Sequence, residues 1–185
     1  MKRNSLRLFV AINFPDEIRT IIATIRDTVN DLATSGRFSD TENLHLTLVF
    51  LGACNPDETE TIKAVLYDTV FSEFSLVLDQ VDRFRRKGGD TWWIGLKKNQ
   101  RLFALQSDLS ERIRQKGFIL ENRQYFPHIS IGREIRMNPR FILPQLQQVS
   151  FNVTSIELMK SEHINGKLTY TPIFSKNATK IIEKI

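Results

Sequence analysis

The chain has 185 residues, 41% hydrophobic, 25% charged and 10% aromatic, and that length suits one domain or two small lobes sharing a core. The charged fraction together with 13 Phe argues against intrinsic disorder, and a net charge of +5 admits an anionic partner such as RNA without requiring one. No apolar run approaches the roughly 18–20 residues that a bilayer span needs, so no membrane attachment is expected.

In chain order, residues 1–7 (MKRNSLR) are basic but lack the apolar region and small-residue cleavage site of a signal peptide. Residues 6–14 (LRLFVAINF) read as a buried strand. Pro15, Asp16 and Glu17 open a helix, with acids at the positive end of its dipole. Ile18, Ile21, Ile22, Ile25, Val29 and Leu32 form one helical face, and Ser35-Gly36 ends it. Residues 43–51 (NLHLTLVFL) are a second strand. Asn55 and Glu58 have capping-box spacing, and Ile62, Val65, Leu66 and Val70 are the apolar face of the helix that follows. Strands at 74–84 and 91–96 flank a basic turn containing Gly88 and Gly89. Asn99 starts a helix with Leu102, Leu105, Leu109 and Ile113 on one face, closed by Gly117. A strand at 128–132 follows, then a short helical or irregular piece from Asn138-Pro139. The chain ends in a hairpin, 151–159 and 168–174, turning near Asn165-Gly166. Interleaved helices and hairpins argue for an α+β fold with mainly antiparallel sheets. Neither GxGxxG nor GxxxxGK[ST] is present, which weakens a nucleotide-binding α/β reading.

Two short segments carry the chemistry: His45-Leu46-Thr47-Leu48 and His128-Ile129-Ser130-Ile131. In a strand, residues i and i+2 share a face. Each segment therefore puts a histidine and a hydroxyl on one face and two apolar residues on the other. A single strand histidine is ordinarily structural, but the repetition of the whole pattern points to a paired role. Two histidines across a cleft can divide acid and base work near neutral pH, and the hydroxyls can hold phosphoryl oxygens. That equipment suits in-line displacement at a phosphodiester without a metal or covalent intermediate. Zinc catalysis usually takes three protein ligands, and no HExxH or acidic cluster accompanies either motif. Glu42 and Glu134 read as solvated charges. Cys54 is the lone cysteine, which excludes an internal disulfide and a cysteine-based zinc site; no cofactor is expected, and a cytoplasmic, reducing compartment fits.

These residues resemble the two-histidine (2H) phosphoesterase superfamily, and within it the RNA 2′,3′-cyclic phosphodiesterases also called 2′-5′ RNA ligases. Residues 7–12 with Pro15 resemble the family's opening strand and helix; residues 42–52 (ENLHLTLVFLG) and 126–133 (FPHISIGR) resemble its two motif blocks. Trp93-Ile94-Gly95 is similar to its central strand, and Ser161, Gly166 and Tyr170 to its closing hairpin. Ser130 stands where Thr is usual, and Gly132 where Ala is common. The resemblance implies a single bilobal, pseudo-twofold domain over 1–185 with a central cleft. It implies hydrolysis of RNA 2′,3′-cyclic phosphate ends to 2′-phosphomonoesters, with 2′-5′ ligation as the reverse. It implies His45 as proton donor and His128 as proton acceptor, a division the near-symmetric motifs alone leave open. It also implies phosphate binding by Thr47, Ser130 and Arg133, the last reaching the phosphate only if a bulge near Gly132 breaks strand alternation.

Among the other residues, Trp92 and Trp93 point to opposite faces, one as core and the other, Trp93, as a base-stacking candidate; Phe126 is a further stacking candidate, with core packing as the plainer reading. Arg83, Arg85, Arg86 and Lys87 are either a guide for the RNA backbone or a solvated hairpin tip. His163 reads as a surface turn residue. The partner is RNA with cyclic phosphate ends or a related nucleotide, and a monomer is expected. The alternatives are a 2H enzyme acting on a small nucleotide, such as ADP-ribose cyclic phosphate or 2′-5′ oligoadenylate, and a low-turnover RNA-binding module.

Overall fold

The computed structural model describes residues 5–143 and 146–179. Met1–Asn4, part of the stretch weighed as a leader, lie outside the described residues. Nine strands and three helices are described: β1 (Leu6–Ile12), α1 (Asp16–Leu32), β2 (Ala33–Phe38), β3 (Leu46–Cys54), α2 (Pro56–Asp68), β4 (Phe74–Phe84), β5 (Asp90–Leu96), α3 (Gln100–Gln115), β6 (His128–Met137), β7 (Ser150–Val153), β8 (Ser155–Ile164) and β9 (Lys167–Asn177). They build two antiparallel sheets, ordered β3-β1-β8-β9 and β2-β6-β5-β4-β7. The first is flanked by α2 and α3, which also pack on each other; α1 packs on the second, against β2 and β6. Each sheet carries one histidine motif, on β3 and β6, and these two strands touch where the lobes meet. No described helix is long and apolar enough to cross a membrane.

The helices form for the reasons their sequences suggest. The Asn55 side chain accepts from the Glu58 amide at 2.9 Å while the Glu58 carboxylate accepts from the Asn55 amide at 2.7 Å, so two orphan donors of α2 are satisfied reciprocally. Asn99 caps α3 by accepting from the Leu102 amide at 3.0 Å. Leu102, Leu105, Leu109 and Ile113 are buried along one face of α3, and Ile18, Ile22 and Val29 along α1. One apolar cluster joins these faces to Leu8, Val10, Leu46, Leu48, Ile129 and Ile131 of the motif-bearing sheets. Each fully buried Leu or Ile contributes about 1.5–3 kcal/mol relative to exposure.

Four expectations are corrected. Helix α1 ends at Leu32, and residues 33–38 form strand β2 at the edge of the second sheet. This strand is mostly exposed, so it lacks the apolar alternation that reveals a strand. Strand β6 runs on to Met137 because β2 pairs along its far half. The run 151–159 is two strands: the chain passes from one sheet to the other at Thr154. Val70 lies past the end of α2 and is 75% exposed. The stretch after Asn138 is irregular, except that residues 144–145 lie outside the described residues.

Candidate active site

The two motifs sit where alternation demands. Leu46 and Leu48 are buried against the helices, and His45 and Thr47 face the cleft half-buried. Ile129 and Ile131 are fully buried, and His128 and Ser130 face the cleft. Across the ladders, Thr47 lies opposite Ala11, Ser130 opposite Trp93, and His128 opposite Gly95.

Both rings are oriented by the same device. His45 Nδ1 lies 2.7 Å from the Asn43 carbonyl, and His128 Nδ1 lies 2.8 Å from the Phe126 carbonyl. A carbonyl only accepts, so Nδ1 carries the proton in each neutral ring and Nε2 is left for chemistry. His45 Nε2 then accepts from the Thr47 hydroxyl at 2.9 Å. Burial pushes the His45 pKa down to about 4; the Asn43 carbonyl opposes this, and the charges of Arg133 and His128 reinforce it. Burial also lowers His128, opposed by the Phe126 carbonyl and reinforced by Arg123 and Arg133. Arg133 lowers both rings, and strands β3 and β6, which carry the two motifs, are in contact.

Arg133 reaches the cleft through a bulge. Trp93 pairs with Ser130 but Trp92 pairs with Gly132, so Ile131 is an extra residue and the phase of β6 flips after it. Arg133 thereby joins Ser130 on the cleft side, and Glu134, at φ 56, returns Ile135 to the core. Gly132 suits the crossing: a Cβ there would lie 2.6 Å from Ile135 Cδ1 and 3.1 Å from the Arg37 carbonyl oxygen.

The lobes are tied across the cleft. The Tyr125 hydroxyl donates to the Thr47 carbonyl at 3.0 Å, and burial raises its pKa, so it stays a neutral donor. Among the described residues, no group of three or more His, Cys, Asp or Glu is arranged to hold a metal ion.

A family model of the 2′-5′ RNA ligase superfamily matches residues 14–165. The chain belongs to this superfamily. It is 31% identical to the RNA 2′,3′-cyclic phosphodiesterase of Escherichia coli over 168 residues, covering 90% of this chain and 93% of that one. The RNA 2′,3′-cyclic phosphodiesterase of Archaeoglobus fulgidus is 30% identical over 135 residues, 72% of this chain and 76% of its own. Among solved structures, E. coli LigT complexed with 3′-AMP superposes with a TM-score of 0.84 at 29% identity, over 95% of this chain and 99% of that chain.

The peripheral residues of this superfamily member divide. Trp93 is 3% exposed and packed against Phe84 and Phe126, with ring centroids 5.2 and 5.0 Å away. Its faces are covered, which corrects the expectation that a base stacks on it; it backs the rings beside His128. Phe126 is 49% exposed, its centroid 6.0 Å from His128. It edges a cavity of about 310 Å³ also lined by Gly95, Gln80, Lys98 and Tyr125. Trp92 is core. Arg83 is committed to Asp90 at 3.2 Å and lies over Trp92 and Phe141. Arg86 lies over the Phe84 ring and is exposed, as are Arg85 and Lys87. Glu42 pairs with Arg19, and Glu134 with Arg37. His163 is exposed beside the turn at Asn165-Gly166.

Sequence reasoning missed Arg123, Phe84 and Tyr125 near the site, and gave no site role to Phe9 or Tyr170. The last two pack on His45 at centroid distances of 4.8 and 5.2 Å. Parity within β1 flags Phe9, but nothing short of the register brings Tyr170 to His45.

Proposed function

We propose that this chain hydrolyses the 2′,3′-cyclic phosphate ends of RNA to 2′-phosphomonoesters by metal-independent acid–base catalysis. The observation that carries it is the pair of rings, each with Nδ1 held on a backbone carbonyl so that Nε2 is the nitrogen that handles a proton. Membership of the superfamily and relatives named for this activity support it. His128 Nε2 takes a proton from water as the water oxygen attacks phosphorus. The bond from phosphorus to the 3′ oxygen breaks, and His45 delivers a proton to that oxygen. Thr47, Ser130 and Arg133 bind the non-bridging oxygens as negative charge builds. Burial lowers the His45 pKa to about 4, so without phosphate beside it the ring is neutral at pH 7. The phosphate anion favours its protonation, and Thr47 then turns its hydroxyl from the ring to the phosphate. In ligation a 5′-hydroxyl attacks phosphorus in place of water, the same bond to the 3′ oxygen breaks, and a 2′-5′ link is left; cleavage of that link runs these steps backward. Phe126 is the stacking surface for a base, and Arg85, Arg86 and Lys87 guide the backbone beyond it. A monomeric state and a cytoplasmic setting complete the proposal.

The test is an assay of RNA oligomers ending in 2′,3′-cyclic phosphate after exhaustive chelation. The expected product is the 2′-phosphate at an undiminished rate. Loss of activity on chelation, restored by a divalent metal, overturns the mechanism. Turnover of 2′-5′ linked oligoadenylate but not of cyclic ends overturns the substrate.

A further inference from the structure

The first sheet carries an acidic side chain on its cleft face, where the substrate is an anion. Thr47 pairs with Ala11, and Ala11 pairs with Glu157 on its other side. Residues directly opposite in a ladder share a face. Thr47, Ala11 and Glu157 are therefore one row on the first sheet, with Ala11 between them fully buried and packed with Phe9 and Met159. Adjacent strands are roughly 4.8 Å apart, so the row spans two such steps, comparable to the reach of one nucleoside from its phosphate. Ile156 and Leu158, the neighbours of Glu157 in β8, are fully buried on the opposite face.

Glu157 is held by Asn13, whose amide nitrogen donates to the Glu157 Oε2 oxygen. The same nitrogen donates to Met159 Sδ at 3.4 Å. A carboxylate only accepts, which fixes the amide orientation. With both amide hydrogens engaged, the pair presents acceptors alone to the cleft: Asn13 Oδ1 and the second Glu157 oxygen, neither with a protein partner among the described residues. Acceptors of this kind repel phosphate and seek N–H donors.

We infer that Asn13 and Glu157 form a subsite that reads the base of the nucleoside carrying the cyclic phosphate, preferring bases with an amino group over uracil. The inference rests on the proposed hydrolysis and deepens it. At an RNA end the ribose of that nucleoside has its 2′ and 3′ oxygens in the cyclic phosphate and its 5′ oxygen in the chain, so its donors lie on the base; in the free nucleosides the added 5′-hydroxyl is common to all four. Guanine offers adjacent N–H donors at N1 and N2 and suits a carboxylate best; adenine and cytosine offer one amino group. Uracil offers a single N–H between two carbonyls, which meet the acceptors unfavourably. The nucleoside lies over the first sheet because its 3′ oxygen takes the proton from His45.

The test measures kcat/KM for the four nucleoside 2′,3′-cyclic phosphates with the wild type, Glu157→Gln and Asn13→Ala. The wild type should favour guanosine over uridine by about tenfold or more, the scale of one hydrogen bond to a charged group. Glu157→Gln, which adds a donor and removes the charge, should bring that ratio within about twofold. Asn13→Ala should lower it less. Thermal unfolding midpoints are recorded alongside, because a merely structural role lowers all four substrates together and leaves the ratio intact. A wild type that hydrolyses all four without preference, or a preference that survives Glu157→Gln, overturns the subsite. A wild type that hydrolyses none overturns the proposed activity instead.

Discussion

The two histidine motifs have the same pattern and different surroundings. His45 is enclosed: Phe9 and Tyr170 pack on its ring, and both nitrogens have partners within the chain. His128 has one partnered nitrogen, lies against Phe84 at 5.2 Å, and borders the open side of Phe126. Near-symmetric sequence thus yields two unlike acids. The difference comes from neighbours contributed by other strands, and it is these that bias one histidine toward each task.

The largest test of that contrast removes each ring. His45→Ala and His128→Ala should each lower kcat by about 10²–10⁴-fold, and the double variant by far less than the product. A substrate with a better leaving group at the 3′ position should partly rescue His45→Ala alone. Rescue of His128→Ala instead would exchange the two roles.

Next come the hydroxyls. Thr47→Ala removes a phosphate ligand and also frees His45 Nε2, whereas Ser130→Ala removes only a ligand. Turnover should fall by up to roughly 10²–10³-fold in each. The His45 pKa measured by NMR should move only in Thr47→Ala; equal movement in both variants would erase the asymmetry.

The pH profiles sharpen it further. Both histidines are lowered in the free protein, so both limbs of the kcat/KM bell should lie on the acid side of the ordinary histidine value, about 6.5. Bound phosphate raises both, so the kcat optimum should sit at higher pH than the kcat/KM optimum. Arg133→Gln removes a cation that lowers both rings and should shift the kcat/KM limbs upward. Coincident optima for kcat and kcat/KM would contradict this picture.

The smallest effect is on stability. An unfolded histidine titrates near 6.5 and the folded His45 at about 4. Between these values the unfolded chain binds the extra proton, so stability falls as pH drops through that window and levels off below it. The His45 share is on the order of 3 kcal/mol. Urea unfolding from pH 7 to 4 should show the decline, and His45→Gln should flatten part of it. An unchanged slope in that variant would mean His45 is not the buried base described.

Much of this was legible in the chain. The helices announced themselves through Asn55, Glu58 and Asn99 and through apolar spacing, because caps and helical faces are local. The motif faces were legible for the same reason: Leu46, Leu48, Ile129 and Ile131 fix which way His45 and His128 point. Strand β2 was not, since an exposed edge strand needs no apolar alternation. The break at Thr154 did leave a trace. Buried positions run 151 and 153, then 156 and 158, a change of parity that a single flat strand cannot have. Arg133 was legible only conditionally, because a bulge is set by pairing with Trp92 and Trp93 and not by its own residues. Phe84 and Tyr170 reach the histidines through register between distant strands, which one sequence does not display.

The path of the chain between sheets has its own consequence. Successive strands change sheet at four points: from β1 to β2, β2 to β3, β3 to β4 and β7 to β8. A pair of lobes joined by one connection can swing apart on it, whereas lobes laced together repeatedly resist that motion. The separation of the two rings is therefore set by the weave, and the cleft is a slot of nearly fixed width. A substrate must fit that slot by bending its own backbone. This favours a strained five-membered cyclic phosphate at a chain end over an ordinary internal linkage, which carries flanking nucleotides on both sides.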